Sequence, residues 1–333
     1  MDLFLGAEIP QSAQRRWSSS RRAAALLLFV VAFLTPFAAR AQQKTLYLDR
    51  LTMAGAPDDG IAVWRPYTSQ KTRLFAQMGL GLTFSPLLLR TIAQDNNPAL
   101  QNYNNSPVSS QLIDYATVGA ELGSRATFVA NLPIILYQSG SDPSPAGVRG
   151  VGSIQSPALM DARLDARALL YQADDKSWRL AGGMSFYVPS GAQYSYGGDG
   201  STHTALNMSV ETLVRDLIIV GNMGFHFRPK SVVGELTVGN ELTLGAGIFW
   251  PLRNGRLRVG GSLNFSSGLE VFTGPNKVET TTIFTARNTP LEWLAEGRML
   301  LDQKGQLWAG GGLGTRLDTG YGAPDVRILA LIG

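Results

Sequence analysis

The sequence predicts an all-β fold: a transmembrane, antiparallel up-and-down β-barrel of about twelve strands, following a cleaved signal peptide. Three observations predict it. The first is alternation. Leu291, Trp293, Ala295, Gly297, Met299 and Leu301 fall on one face of a strand, and Glu292, Leu294, Glu296 and Arg298 on the other. Successive strand side chains point to opposite sides. In a membrane barrel the apolar face meets lipid and the polar face lines the lumen. The second is that tight turns alternate with long loops along the chain, as in outer-membrane barrels. The third is composition. Only 16% of the 333 residues are charged, against about 25% in soluble domains. A soluble two-sheet domain is the competing fold; it would have to find a core for every strand while keeping these charges in water.

The N-terminus has the layout of a secretory signal. Arg15, Arg16, Arg21 and Arg22 form a basic region, Ala23 to Leu34 an apolar core, and Ala39-Arg40-Ala41 a small-x-small cleavage site. The apolar run is shorter than the about 20 residues a spanning helix needs. The leader also explains the charge. Residues 1–41 hold five Arg against Asp2 and Glu8, a net of +3, and the whole chain is +4, leaving +1 for residues 42–333. The high pI is therefore no signal for nucleic acid, and none is expected as a partner. There is no cysteine, so neither a disulfide nor a thiolate metal site is available.

Residues 42–71 are polar and read as a periplasmic N-terminal segment or a plug; residues 72–333 form the barrel. Strand one spans 72–84, with Arg73, Gly79 and Gly81 inward. Strands two and three, 112–122 and 125–136, meet at Gly123-Ser124. In strand four, 160–172, Asp161, Arg163, Asp165 and Arg167 alternate with Ala162, Leu164, Ala166 and Ala168. In strand five, 178–188, Arg179, Gly183 and Ser185 oppose Trp178, Leu180, Met184 and Phe186. Strand six, 203–213, turns Glu211 inward, and strand seven, 216–228, turns Asn222, His226 and Arg228 inward. In strand eight, 236–249, Glu241 and Thr243 oppose Leu242 and Leu244, and Asn240 interrupts the apolar face. In strand nine, 256–267, Arg256, Arg258, Ser262 and Asn264 oppose Leu257, Val259, Leu263 and Phe265. Strand ten, 290–302, is the segment read first. Strands eleven and twelve, 306–316 and 325–333, place Gly310, Gly312, Gly314, Arg316 and Arg327 inward.

Asn254-Gly255 and Lys304-Gly305 fall in the short connectors, as hairpin turns require. The long connectors are 85–111, 137–159, 189–202, 268–289 and 317–324. An even strand number brings both termini to the periplasmic side. Trp178, Phe186, Phe225, Phe227, Phe249, Trp250 and Trp293 are expected to form interfacial girdles.

Several stretches resemble the N-terminal barrel region of OmpA-family outer-membrane proteins. They are Leu48-Asp49-Arg50-Leu51, Gly55-Ala56-Pro57-Asp58-Asp59-Gly60, Val63-Trp64-Arg65-Pro66, Gly224 to Pro229, Pro290 to Trp293, Gly314 to Leu317 and Tyr321 to Asp325. The resemblance covers most of residues 46–333. It implies an outer-membrane location, contact with lipid and lipopolysaccharide, and passage through the barrel-assembly machinery. In such proteins a peptidoglycan-binding domain commonly follows the barrel. The chain ends at Gly333 without one, so a separate peptidoglycan-binding partner is the corresponding expectation. The last strand also lacks a terminal aromatic residue.

The candidate site is the lumen. Its inward acids are Asp161, Asp165, Glu211, Glu241, Glu292 and Glu296; its inward bases are Arg73, Arg163, Arg167, Arg258, Arg298, Arg316 and Arg327. Such charges form either a solute-selecting constriction or a paired network filling a narrow bore. Asp58-Asp59-Gly60 and Gly197-Gly198-Asp199-Gly200 read as turns. With two histidines, His203 and His226, and neither placed for hydrolysis, no catalytic residue, metal or cofactor is expected. The inward glycines Gly79, Gly81, Gly183, Gly245, Gly247, Gly310, Gly312 and Gly314 leave room in the bore, for water, for curvature or for a plug. The resulting expectation is a narrow passive pore; the alternatives are a structural envelope protein, or a surface-recognition barrel using its long loops.

Overall fold

The structure is a computed structural model that describes residues 46–90, 104–141, 154, 156–233, 236–269, 271–273, 279–281, 289–318 and 320–333. The signal-peptide expectation for residues 1–41 and parts of four of the five long loops fall outside these.

Twelve long strands form the wall: β1 Arg73–Arg90, β2 Asn104–Leu122, β3 Ala126–Ser139, β4 Ala162–Gln172, β5 Trp178–Val188, β6 His203–Val214, β7 Leu217–Phe227, β8 Glu241–Leu252, β9 Leu257–Gly268, β10 Leu291–Leu300, β11 Trp308–Arg316 and β12 Val326–Ile332. Each pairs antiparallel with the next in sequence. β1 closes the ring on β12, with Met78 opposite Ile332 and Phe84 opposite Val326. Closure leaves no sheet edge, which a lipid environment requires because unpaired backbone groups have no water there. Alternation assigns the faces. Leu80, Phe128, Leu164, Met184, Leu206, Ile248, Leu263 and Ile328 are exposed on the outside, while Gln77, Thr117, Asn131, Arg163, Glu211 and Glu241 are buried inside.

All twelve predicted strands are present, with three local differences. β1 and β2 continue well past the predicted ends, pairing out to Arg90 and Asn104. Strand eight begins at Glu241. Leu236–Val238 instead folds onto Ser231–Val233 as a small hairpin, and the Asn240 side chain accepts the Arg228 N–H at 3.1 Å where the chain bends. Phe249 is not in a girdle: it shares parity with Glu241, points inward and is fully buried. Trp178, Phe186, Phe227 and Trp250 are on the exposed face.

Tight turns cluster at one mouth. Gly123, Ser124, Lys176, Arg215, Arg253, Asn254, Gly255 and Gly305 there adopt positive φ, the backbone that two-residue hairpins need. The strand ends joined by the long connectors face the other mouth.

Candidate functional site

The bore is occupied by the chain itself. Residues 46–71 run inside the barrel from the long-loop mouth to the short-turn mouth. At the first, the Leu48 N–H donates to Tyr196 O at 3.2 Å and the Tyr47 N–H to Asp199 Oδ1 at 2.8 Å. At the second, the Ser124 N–H donates to Ser69 O at 2.7 Å, and the chain enters β1 two residues after Lys71. The first described residues thus lie at the mouth opposite the C-terminal strand end. The expectation that both termini share a side concerns an N-terminus outside the described residues; a strand count does not register a segment that crosses inside.

Apolar residues of this lumen segment give the barrel a core. Leu51, Met53 and Ile61 pack with Ile113, Tyr115, Leu294, Leu329 and Leu331 of the wall. Val63 packs with Ile218, Val220 and Phe249, which is why Phe249 turns inward. The inward glycines make this possible. A Cβ on Gly183 would stand 2.9 Å from the Trp64 ring, one on Gly247 3.0 Å from Val63, and one on Gly312 3.0 Å from Ile61. These distances are below ordinary van der Waals contact, so the space left by these glycines holds the segment.

Polar groups lock the register. The Trp64 N–H donates to Asn222 Oδ1 at 2.7 Å, and its carbonyl accepts from Ser209 Oγ at 2.6 Å and Asn222 Nδ2 at 2.8 Å. The Ile61 N–H donates to Glu296 Oε2 at 2.7 Å. The Asp58-Asp59-Gly60 stretch is a turn, with the Asp59 N–H on Ala56 O at 3.1 Å. Its Asp59 carboxylate is filled by the Ala56 and Arg65 N–H groups and by Arg167 at 2.6 Å.

Each sequence-predicted charge has a definite place. Arg167 holds Asp59. Glu211 accepts Arg65 Nε at 2.6 Å and Arg179. Glu241 takes Arg50, and Arg228 at 3.0 Å. Glu292 receives Arg327 Nε at 2.6 Å, and Arg327 reaches Asp49 at 3.0 Å. Arg163 holds Asp165 at 3.0 Å and the Met53 carbonyl. Arg258 donates to the carbonyls of Asp58 and Asp59 and lies 3.6 Å from Glu296. Arg73 bridges Glu121 at 2.6 Å and Asp58. Arg298 has no carboxylate within 4 Å among the described residues, and its guanidinium lies 3.4 Å from the Trp308 ring centroid. Arg316 pairs with Asp325 near the long-loop mouth.

Asp161 differs from its predicted place within a strand. It lies just before β4 and accepts the N–H groups of Gly191 at 2.8 Å and Asp199 at 2.9 Å. Burial pushes its carboxyl up to about 7, with those two N–H groups pulling part of the way back. Its neighbour Asp199 is more than a turn residue. Burial raises its carboxyl, but Arg228, donating from Nε at 2.7 Å and Nη2 at 2.6 Å, holds it below the usual range.

The partners that sequence reasoning missed are those of the lumen segment: Asp49, Arg50, Asp58, Asp59 and Arg65. Their signal was present in an otherwise unassigned polar stretch, which carried these five charges before the first strand. Glu121 was missed as well, at the end of a strand whose inward face is otherwise neutral.

Space remains around the segment. A cavity of about 110 Å³ lies between it and the wall, with Arg50, Asn207, Asn222 and His226 among its polar lining and Leu51, Trp64, Met223 and Phe265 among its apolar lining. A larger vestibule of about 790 Å³ opens at the short-turn mouth.

No family model matches the chain, and no curated protein does. Solved structures do. An outer membrane channel from Pseudomonas putida F1 matches at 11% identity and a TM-score of 0.51, over 77% of this chain and 94% of that one. The NanC porin matches at 7% identity and a TM-score of 0.47, over 78% and 98%. LpxR from Salmonella typhimurium matches at 11% identity and 0.39, over 77% and 98%. A closed, lipid-faced barrel of twelve strands with this likeness defines the chain as an outer-membrane β-barrel protein, located in the outer membrane of the cell.

Proposed function

We propose that this protein is a narrow passive channel of the outer membrane whose bore is restricted by its own residues 46–71 acting as a plug, with no catalytic role. The observation that carries the reading is open space beside the plug: the vestibule at one mouth and a separate cavity of mixed lining deeper in, whose polar groups include Asn222, His226 and Thr243. At about 30 Å³ per water in bulk liquid, the inner cavity of about 110 Å³ holds only a few waters, so the pore is of low conductance. Wall charges such as Asp161, Glu211, Glu241 and Glu292 serve first to seat the plug and second to set the field in that space. The finer likeness to the barrel region of OmpA-family proteins belongs to this proposal, as do lipopolysaccharide contact and delivery by the barrel-assembly machinery.

A structural envelope role is the second reading. It is favoured by the neutralisation of the wall: Asp165, Glu211, Glu241 and Glu292 each already hold an arginine.

Planar-bilayer recordings on the refolded chain decide between them. Small discrete steps are expected, growing severalfold when residues 46–68 are deleted. A folded, heat-modifiable barrel that stays silent at every voltage would reject the channel and leave the structural role.

A further inference from the structure

The vestibule at the short-turn mouth is strongly one-signed. Seven cationic side chains line it, against the single carboxylate side chain of Asp58. Three of the seven are committed: Arg65 to Glu211, Arg73 to Glu121 and Asp58, and Arg258 near Glu296. The other four, Lys71, Arg256, Arg298 and Lys304, have no carboxylate within 4 Å among the described residues. Arg256 spends one Nη2 on the Asp302 carbonyl at 3.3 Å. Lys71 and Lys304 are exposed on the lumen-segment exit and on a hairpin turn. Arg298 sits deeper, laid over the Trp308 ring, a stacking that fixes its planar guanidinium and leaves its N–H edge free to donate. The neighbouring Arg258 Nε is buried and without a hydrogen-bond acceptor.

A concave site lined by one sign of charge, with low-dielectric walls, concentrates counter-ions. Rings of Arg and Lys are the means by which pores favour anions and phosphates. The remaining cations differ in depth, from exposed ammonium groups at the rim to a guanidinium set against Trp308 inside. Such a gradient admits an anion loosely and then orients its oxygens.

We propose that this vestibule is an anion-binding site for small solutes bearing a carboxylate or phosphate group, with Lys71 and Lys304 capturing them at the rim and Arg298 receiving their oxygens. The proposal names the solute class of the channel and rests on that reading for its transport role. The site itself does not depend on conduction.

Two measurements on the full chain test it. Titration calorimetry with inorganic phosphate and with acetate is expected to show binding that weakens at least about tenfold in Arg298→Gln, and to fall as ionic strength rises. Reversal potentials in a potassium chloride gradient are expected to favour chloride, with the preference reduced in Lys71→Gln/Lys304→Gln. Those two exposed positions can change without disturbing the fold, so the test survives even if Arg298→Gln unfolds. Conduction without phosphate binding or anion preference would overturn the site and leave the channel reading standing. Binding without conduction would support the site and reject the channel. Binding of only an acidic polypeptide, with phosphate and acetate inert, would overturn the small-solute assignment.

Discussion

The charged side chains inside this barrel act as fasteners, and Arg327 shows their energetics. It is fully buried and spans Asp49 of the lumen segment and Glu292 of β10. Removing one member of a buried ion pair strands the others in a medium that solvates them poorly, at about 3–5 kcal/mol. Arg327→Ala leaves two carboxylates unpaired, so a loss of that size is expected in thermal unfolding followed by gel mobility; an unchanged transition would show that the triad is not structural. Asp161 gives the opposite sign of pH dependence from most native carboxylates. Its folded value of about 7 lies above its ordinary 3.8, so between these two pH values the folded state holds the proton more firmly than the unfolded chain. The stability it contributes is greatest at the acidic end of that window and is lost as pH rises toward 7. Asp161→Asn should flatten this slope, and a slope unaltered by the substitution would assign it to another group.

At the scale of elements, the wall strands and the lumen segment are fitted to each other. Gly247 of β8 lies against Val63 and Phe249, so an added methyl has nowhere to go. Overpacking of this kind costs about 1–3 kcal/mol. Gly247→Ala should therefore lower stability, and Val63→Ala in the same chain should recover part of it. A coupling energy of at least about 0.5 kcal/mol in the double-mutant cycle is expected for residues in contact; strict additivity would mean that the segment does not pack there in solution. The strands themselves were legible because period-2 alternation and hairpin dipeptides are local signals. Phe249 was not. Its inward parity was plain, but an aromatic near a strand end also fits a girdle, and only a core inside the bore decides between the two.

For the whole molecule, closure, strand number and the sorting of loops by length followed from repeated local patterns and from the scarcity of charge. What occupied the centre did not follow. Residues 42–71 carry no period, and the inward glycines admit three explanations until Trp64, Val63 and Ile61 are seen against them. The wall charges could be listed from alternation alone, whereas their partners Asp49, Arg50, Asp59 and Arg65 come from a stretch up to 278 residues away in sequence, beyond the reach of any local rule.

The passage of residues 46–71 through the bore has a consequence for biogenesis. A ring cannot be threaded readily once its seam is hydrogen-bonded, least of all by a peptide carrying buried charges that must each find one partner. The β1–β12 seam from Met78–Ile332 to Phe84–Val326 is therefore the natural last step, zipped around a peptide already lying across the open sheet. Because Asp49 meets Arg327 of β12, seating the segment and closing the seam complete the same buried ion pair.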